Sequence, residues 1–180
     1  MLKNCLTGSM YYLRYTTHVC QSIFASSALY IQMIEALTYY TYIDTQSFSR
    51  NTFIKDTYLR ESRSEILAFC ILPSEYHLLI EQKEEGGIYE TIRRTHESIT
   101  RYYNSMFKST GRIFDAKTAR TEFIYPELKD YTIKQIEELP MYVFHTNWKS
   151  YPWSSYQRRK KSLLQNPIQI DLDAASFSFP

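Results

Sequence analysis

Glu75 and His77 stand two residues apart in EYHLLI, a run whose Tyr, Leu and Ile content marks a β-strand. Side chains alternate across a strand, so both leave the same face of the sheet. A carboxylate and an imidazole side by side can hold a divalent cation, and the oxygen donor favours Mg2+ or Mn2+. Such an ion would polarise a phosphate oxygen and stabilise the charge that develops in phosphoryl transfer. The same pair also describes a solvated turn carboxylate next to a packed histidine. The elements around it must decide.

The pair lies in a hairpin. Two apolar runs, Ile66–Leu72 and Tyr76–Ile80, flank the Pro73-Ser74 break, and proline, with no backbone N–H and a fixed φ, suits the corner and not a central strand. Upstream, Met10–Val19 reads as a strand. Ser26 or Ser27 then caps a helix through about Tyr42, its apolar face formed by Leu29, Met33, Ala36, Leu37 and Tyr40. Residues 44–63 are mostly polar and carry no clear period. Downstream, Gly86-Gly87 precedes a helix to about Phe107 with a stripe of Ile88, Ile92, Ile99, Tyr103 and Met106. A turn at Gly111 leads to a strand near Arg120–Tyr125, and a helix over Leu128–Leu139 is expected to stop or kink at Pro140. The order is βαββαβ. It predicts an α+β, ferredoxin-like sandwich with an antiparallel sheet and appended C-terminal helices, one domain over residues 1–165 and a tail over residues 166–180.

Composition bounds the function. In 180 residues, 44% hydrophobic and 22% charged positions are ordinary for a globular domain, whereas 17 Tyr and 10 Phe against 4 Gly are not. Most of these rings must pack, but exposed ones can stack on unpaired bases. A net charge of +2 leaves only a local basic footprint to engage nucleic acid. Cys5, Cys20 and Cys70 form no CxxC pair; Cys70 reads as a buried small hydrophobe, and a reducing, cytoplasmic setting is expected. No apolar run reaches the roughly 18 residues of a spanning helix, so no membrane partner is expected.

LPSEYHLLI resembles the MPNHVHLLI-type strand of the REP-associated tyrosine transposases, in the single-tyrosine HUH transposase superfamily. Pro73, His77 and Leu78-Leu79-Ile80 agree, while Glu75 stands at the family's first metal-binding histidine. The resemblance continues through Tyr102, Tyr103, Asn104, Gly111, Arg112 and Phe114, and through the closing SYPWSSY at Ser150–Tyr156. It implies metal-dependent cleavage and rejoining of single-stranded DNA through a 5′-phosphotyrosine. A late helix would carry the nucleophile in a Tyr-x-His-x-Asn pattern, with tyrosine and asparagine on one helical face. Here the segment reads Met141-Tyr142-Val143-Phe144-His145-Thr146-Asn147. His145 and Asn147 match, but Val143 replaces the tyrosine, and Tyr142 is displaced by about 100° around a helix. The implied site is therefore Glu75, His77 and Asn147 as metal ligands, Tyr142 as nucleophile and His145 as base.

The candidate DNA contacts are Arg93, Arg94, Arg101, Lys108, Arg112, Lys117, Arg120 and the run Arg158, Arg159, Lys160 and Lys161. Phosphate contacts of this kind supply salt-sensitive affinity, and Trp153 is a candidate stacking ring. Three expectations follow. One is a transposase-like protein that recognises hairpin-forming, partly single-stranded DNA with its cleavage site altered. Another is a competent nuclease and strand-transferase using Tyr142. The last is a ferredoxin-like interaction module without a nucleic-acid role. Monomer and homodimer both remain open.

Overall fold

The computed structural model describes residues 2–18, 22–43 and 61–162. Eight regular elements follow in order: β1 (Met10–Thr16), α1 (Ser27–Tyr40), β2 (Ser64–Leu72), β3 (Glu75–Gln82), α2 (Gly87–Phe107), β4 (Arg120–Ile124), α3 (Lys129–Phe144) and α4 (Ser155–Ser162). The strands form one sheet in the order β2-β3-β1-β4, and each neighbouring pair is antiparallel. This is the expected α+β, ferredoxin-like arrangement: β3 returns from the Pro73-Ser74 turn into the space between β1 and β2. The expected first strand ends earlier, at Thr16, and Thr17 makes only an isolated bridge to Phe114. Val19, Cys20, most of the unassigned 44–63 stretch and the expected tail lie outside the described residues.

Helices α1 and α2 pack together on one face of the sheet. Leu13, Tyr76, Leu78 and Ile80 are fully buried beneath them, with Leu29, Met33, Leu37, Ile88 and Ile99 completing the core. Two hydroxyls between β2 and α2 are paired: Ser64 and Thr91 share a hydroxyl–hydroxyl bond of 2.7 Å, and Thr91 donates to the Tyr40 carbonyl at 3.0 Å. That satisfies groups whose burial alone would be costly. Ser26 takes the N-cap position of α1 through its backbone but makes no side-chain cap bond. No described helix is long and apolar enough to cross a membrane.

Pro140, where the last long helix is expected to stop or kink, does not stop it. This residue lies inside α3, which continues to Phe144. Proline removes one backbone bond, but Ile133, Ile136, Glu137 and Pro140 itself are buried as α3 lies across β2 and β3, and that packing outweighs the local defect. The aromatic stretch after α3 runs along the outer edge of β2: Ile71 N–H donates to Trp153 O at 2.9 Å, and Ser154 bridges Cys70. Tyr151 donates its hydroxyl to Ile71 O at 2.7 Å. SYPWSSY thus closes a strand edge that would otherwise expose unpaired backbone groups.

Candidate functional site

The register decides which groups meet. His77 of β3 lies opposite Cys70 of β2 and Arg14 of β1, and Arg14 lies opposite Arg120 of β4. One row of same-face side chains therefore crosses the whole sheet, flanked by the row of Glu75 and Thr16 on one side and the row of Tyr12 and Glu122 on the other. Tyr76, on the opposite face, belongs to the α1–α2 core. Cys70 is fully buried, and its thiol is pushed up by burial first and then by the charges of Glu137 and Glu75. Glu137 of α3 thus reaches the Glu75/His77 face, which α3 covers on its β2 side while the β1–β4 side stays open.

Within this face the polar groups form a chain. The Tyr12 hydroxyl lies 2.7 Å from His77 Nδ1, and His77 Nε2 lies 3.1 Å from Glu75 Oε1. Arg14 donates to Glu75 Oε2 through Nε at 2.9 Å and through Nη2 at 2.6 Å. The His77 hydrogen bond and the Arg14 guanidinium outweigh burial and hold the Glu75 carboxyl down at about 2. Burial pushes the Tyr12 hydroxyl up to about 12. Hydroxyl, imidazole and carboxylate follow each other in the order used by nucleophile, base and orienting acid, yet this phenol keeps its proton firmly. Neither Tyr12 nor Arg14 was singled out in the sequence. Their alternation in β1 is visible there, but their pairing with β3 is not.

The expected metal ligands do not fit a divalent ion in this arrangement. Both His77 nitrogens and both Glu75 oxygens already have partners, and one of those partners is a cation. A guanidinium 2.6 Å from the carboxylate opposes a second positive charge on the same oxygens. Asn147 is not drawn to the pair: it lies beyond α3, where its side-chain oxygen accepts from Lys149 N–H at 3.1 Å. Among the described residues no group of three or more His, Cys, Asp or Glu side chains could hold a metal.

The expected nucleophile and base are likewise separated by the end of the helix. Tyr142 lies in the last turn of α3 with 64% of its surface exposed. His145 is the C-terminal cap in the left-handed region, φ 54°, with its N–H donating to Met141 O. Because α3 ends at Phe144, Tyr142 and Asn147 cannot share one helical face. Neither Tyr142, His145 nor Asn147 bonds to Glu75 or His77 among the described residues.

The basic candidates divide in two. Arg93 pairs with Glu90 and Glu97, and Arg94 with Glu90. Arg158 lies 5.4 Å from the centre of the Phe69 ring. Arg159 pairs with Glu137, a carboxylate only 1% exposed that also accepts from the Ser155 hydroxyl at 2.6 Å. Ser155 in turn accepts from Phe69 N–H at 3.1 Å, so Arg159 neutralises a charge inside a structural joint. Arg159→Ala is expected to destabilise the fold by about 2 kcal/mol, because Glu137 would remain buried with only Ser155 as partner; thermal unfolding of the two proteins measures it. Arg101, Lys108, Arg112, Lys117, Arg120 and Lys160 are exposed. The Lys161 side chain lies outside the described residues.

Trp153 is corrected outright as a stacking surface. It is 9% exposed and stacks on Tyr30 of α1, rings 4.6 Å apart and 10° from parallel. Among the described residues the exposed Phe and Tyr rings are Phe107, Phe123, Tyr125, Tyr131 and Tyr142. The Asn104–Gly111 element has a structural function: Asn104 donates to Gly111 O at 3.0 Å and accepts from the Ser109 hydroxyl at 2.9 Å. It closes the loop that delivers Phe114 into the core.

Fold and site together define a ferredoxin-like α+β protein whose sheet carries a closed polar chain beside an open half-face. Among solved structures, the chain is similar to a REP-associated tyrosine transposase bound to a REP hairpin, with a TM-score of 0.63 and 12% identity over 97% of this chain and 95% of that one. At that identity the likeness is one of fold. No protein-family model and no curated protein matches the chain.

Proposed function

We propose that this chain binds hairpin-forming, partly single-stranded DNA and cleaves it poorly or not at all. The observation that carries the reading is the likeness of fold, over nearly the full length of both chains, to a transposase bound to a DNA hairpin. The exposed cations Arg101, Lys108, Arg112, Lys117 and Arg120 supply phosphate contacts, and Tyr125, Tyr131 and Tyr142 supply rings for unpaired bases. Impaired cleavage is supported by the site's geometry. Glu75 is tied to Arg14, and Tyr142 makes no bond to the Glu75–His77 pair. The interaction-module reading is less favoured, because the two side chains face each other at 3.1 Å instead of diverging.

A radiolabelled hairpin oligonucleotide with a single-stranded flank, incubated with the full chain in Mg2+ or Mn2+, tests both halves. Binding is expected to weaken about 100-fold between 50 and 200 mM salt, the response of about four phosphate contacts. No covalent protein–DNA adduct is expected. Salt-insensitive or absent binding would remove the DNA reading. An adduct that disappears in Tyr142→Phe would instead establish a competent nuclease.

A further inference from the structure

We infer that Arg14 and Arg120 form a phosphate-binding site on the open half of the sheet, with guanidinium groups supplying the positive charge and no divalent metal required. This rests on the DNA-binding reading above and names the chemistry by which that surface would hold the backbone. The two arginines are direct cross-strand partners on β1 and β4, projecting from the same face. Like charges directly opposite each other destabilise a sheet unless something anionic lies between or beside them.

Glu75 meets that need on one side only. It takes Nε and Nη2 of Arg14, fixing the plane of the guanidinium and leaving Nη1 with no protein partner among the described residues. The Arg14 side chain is 34% exposed. Arg120 is exposed and has no ion pair among the described residues. Two guanidinium edges, one of them held rigid through the Tyr12–His77–Glu75 chain, suit the planar fork geometry that guanidinium groups use on phosphate oxygens. Glu122, on the same face two residues along β4 and opposite Tyr12, is the opposing charge, and it should weaken the site.

The full chain, its Arg120→Gln and Arg14→Gln variants and Glu122→Gln are titrated with the hairpin oligonucleotide, with and without EDTA. Arg120→Gln, an exposed change that leaves the core untouched, is expected to weaken binding about tenfold and to lower the salt slope by about one. Arg14→Gln should weaken it at least as much, and Glu122→Gln should tighten it. EDTA should change the affinity less than about twofold. Unchanged affinity in Arg120→Gln, or a large loss on adding EDTA, would overturn the inference while leaving DNA binding intact. Should the wild-type chain bind no hairpin, titration with inorganic phosphate followed by phosphorus NMR separates the two claims. Phosphate binding lost in Arg120→Gln would keep the site and discard the DNA reading, and no phosphate binding would discard both.

Discussion

Gly87→Ala is expected to lower the unfolding free energy by about 3 kcal/mol or more, read as a shift in the urea midpoint at unchanged slope. Gly87 opens α2, and a Cβ built there would lie 2.0 Å from the Arg63 carbonyl oxygen and 2.8 Å from its carbon. That carbonyl cannot retreat cheaply. It accepts from Lys83 N–H at 3.0 Å and Glu84 N–H at 3.2 Å, the bonds that turn the chain from β3 into α2. An added methyl must therefore displace backbone, not a side-chain end, and either bond loss or a shift of α2 off the sheet follows. Gly86, just before it, has φ 71° with open space around it, so Gly86→Ala carries only conformational strain of about 1 kcal/mol. A Gly87→Ala protein as stable as wild type would show that the approach of α2 to Arg63 is looser than described.

Acid should unfold this protein through His96. Its Nε2 meets the Tyr76 hydroxyl at 2.5 Å, while its ring stacks on Phe114 at 4.1 Å and meets Tyr15 edge-on at 4.8 Å. Burial pushes its ionisation down from 6.5 to about 3. The unfolded chain takes up a proton below about pH 6.5 and the folded chain does not until about pH 3, so stability falls with pH across that window. The loss is about 1.4 kcal/mol per pH unit, or nearly 3 kcal/mol by about pH 4.5. His96→Gln keeps a hydrogen-bonding group near Tyr76 but cannot titrate. Urea unfolding at a series of pH values should show a flatter profile for the variant between pH 6.5 and pH 4.5. Parallel profiles would mean that the ring is solvated when protonated. Glu75 acts in a lower window: held down at about 2 by His77 and Arg14, it contributes stability above the usual carboxylate range and loses it only as pH falls toward that value.

Local signals were legible in the amino-acid sequence because they depend on near neighbours. Apolar spacing located the helices, Pro73-Ser74 the hairpin corner and Gly86-Gly87 the start of α2, and strand alternation alone placed Glu75 and His77 on one face. What the pair touches was another matter. Arg14 lies 61 residues from Glu75, and only the antiparallel registers of β1 with β3 and β4 set Arg14 between His77 and Arg120. A one-residue slip would have sent Arg14 to the other face. Tertiary packing also carried α3 through Pro140, left Asn147 beyond the helix, and turned Trp153 inward onto Tyr30. Each of these outcomes balances a local preference against buried area supplied by distant segments. That balance exists only once the chain has folded, so the sequence could name a carboxylate and an imidazole, but the fold gave them an arginine for a partner.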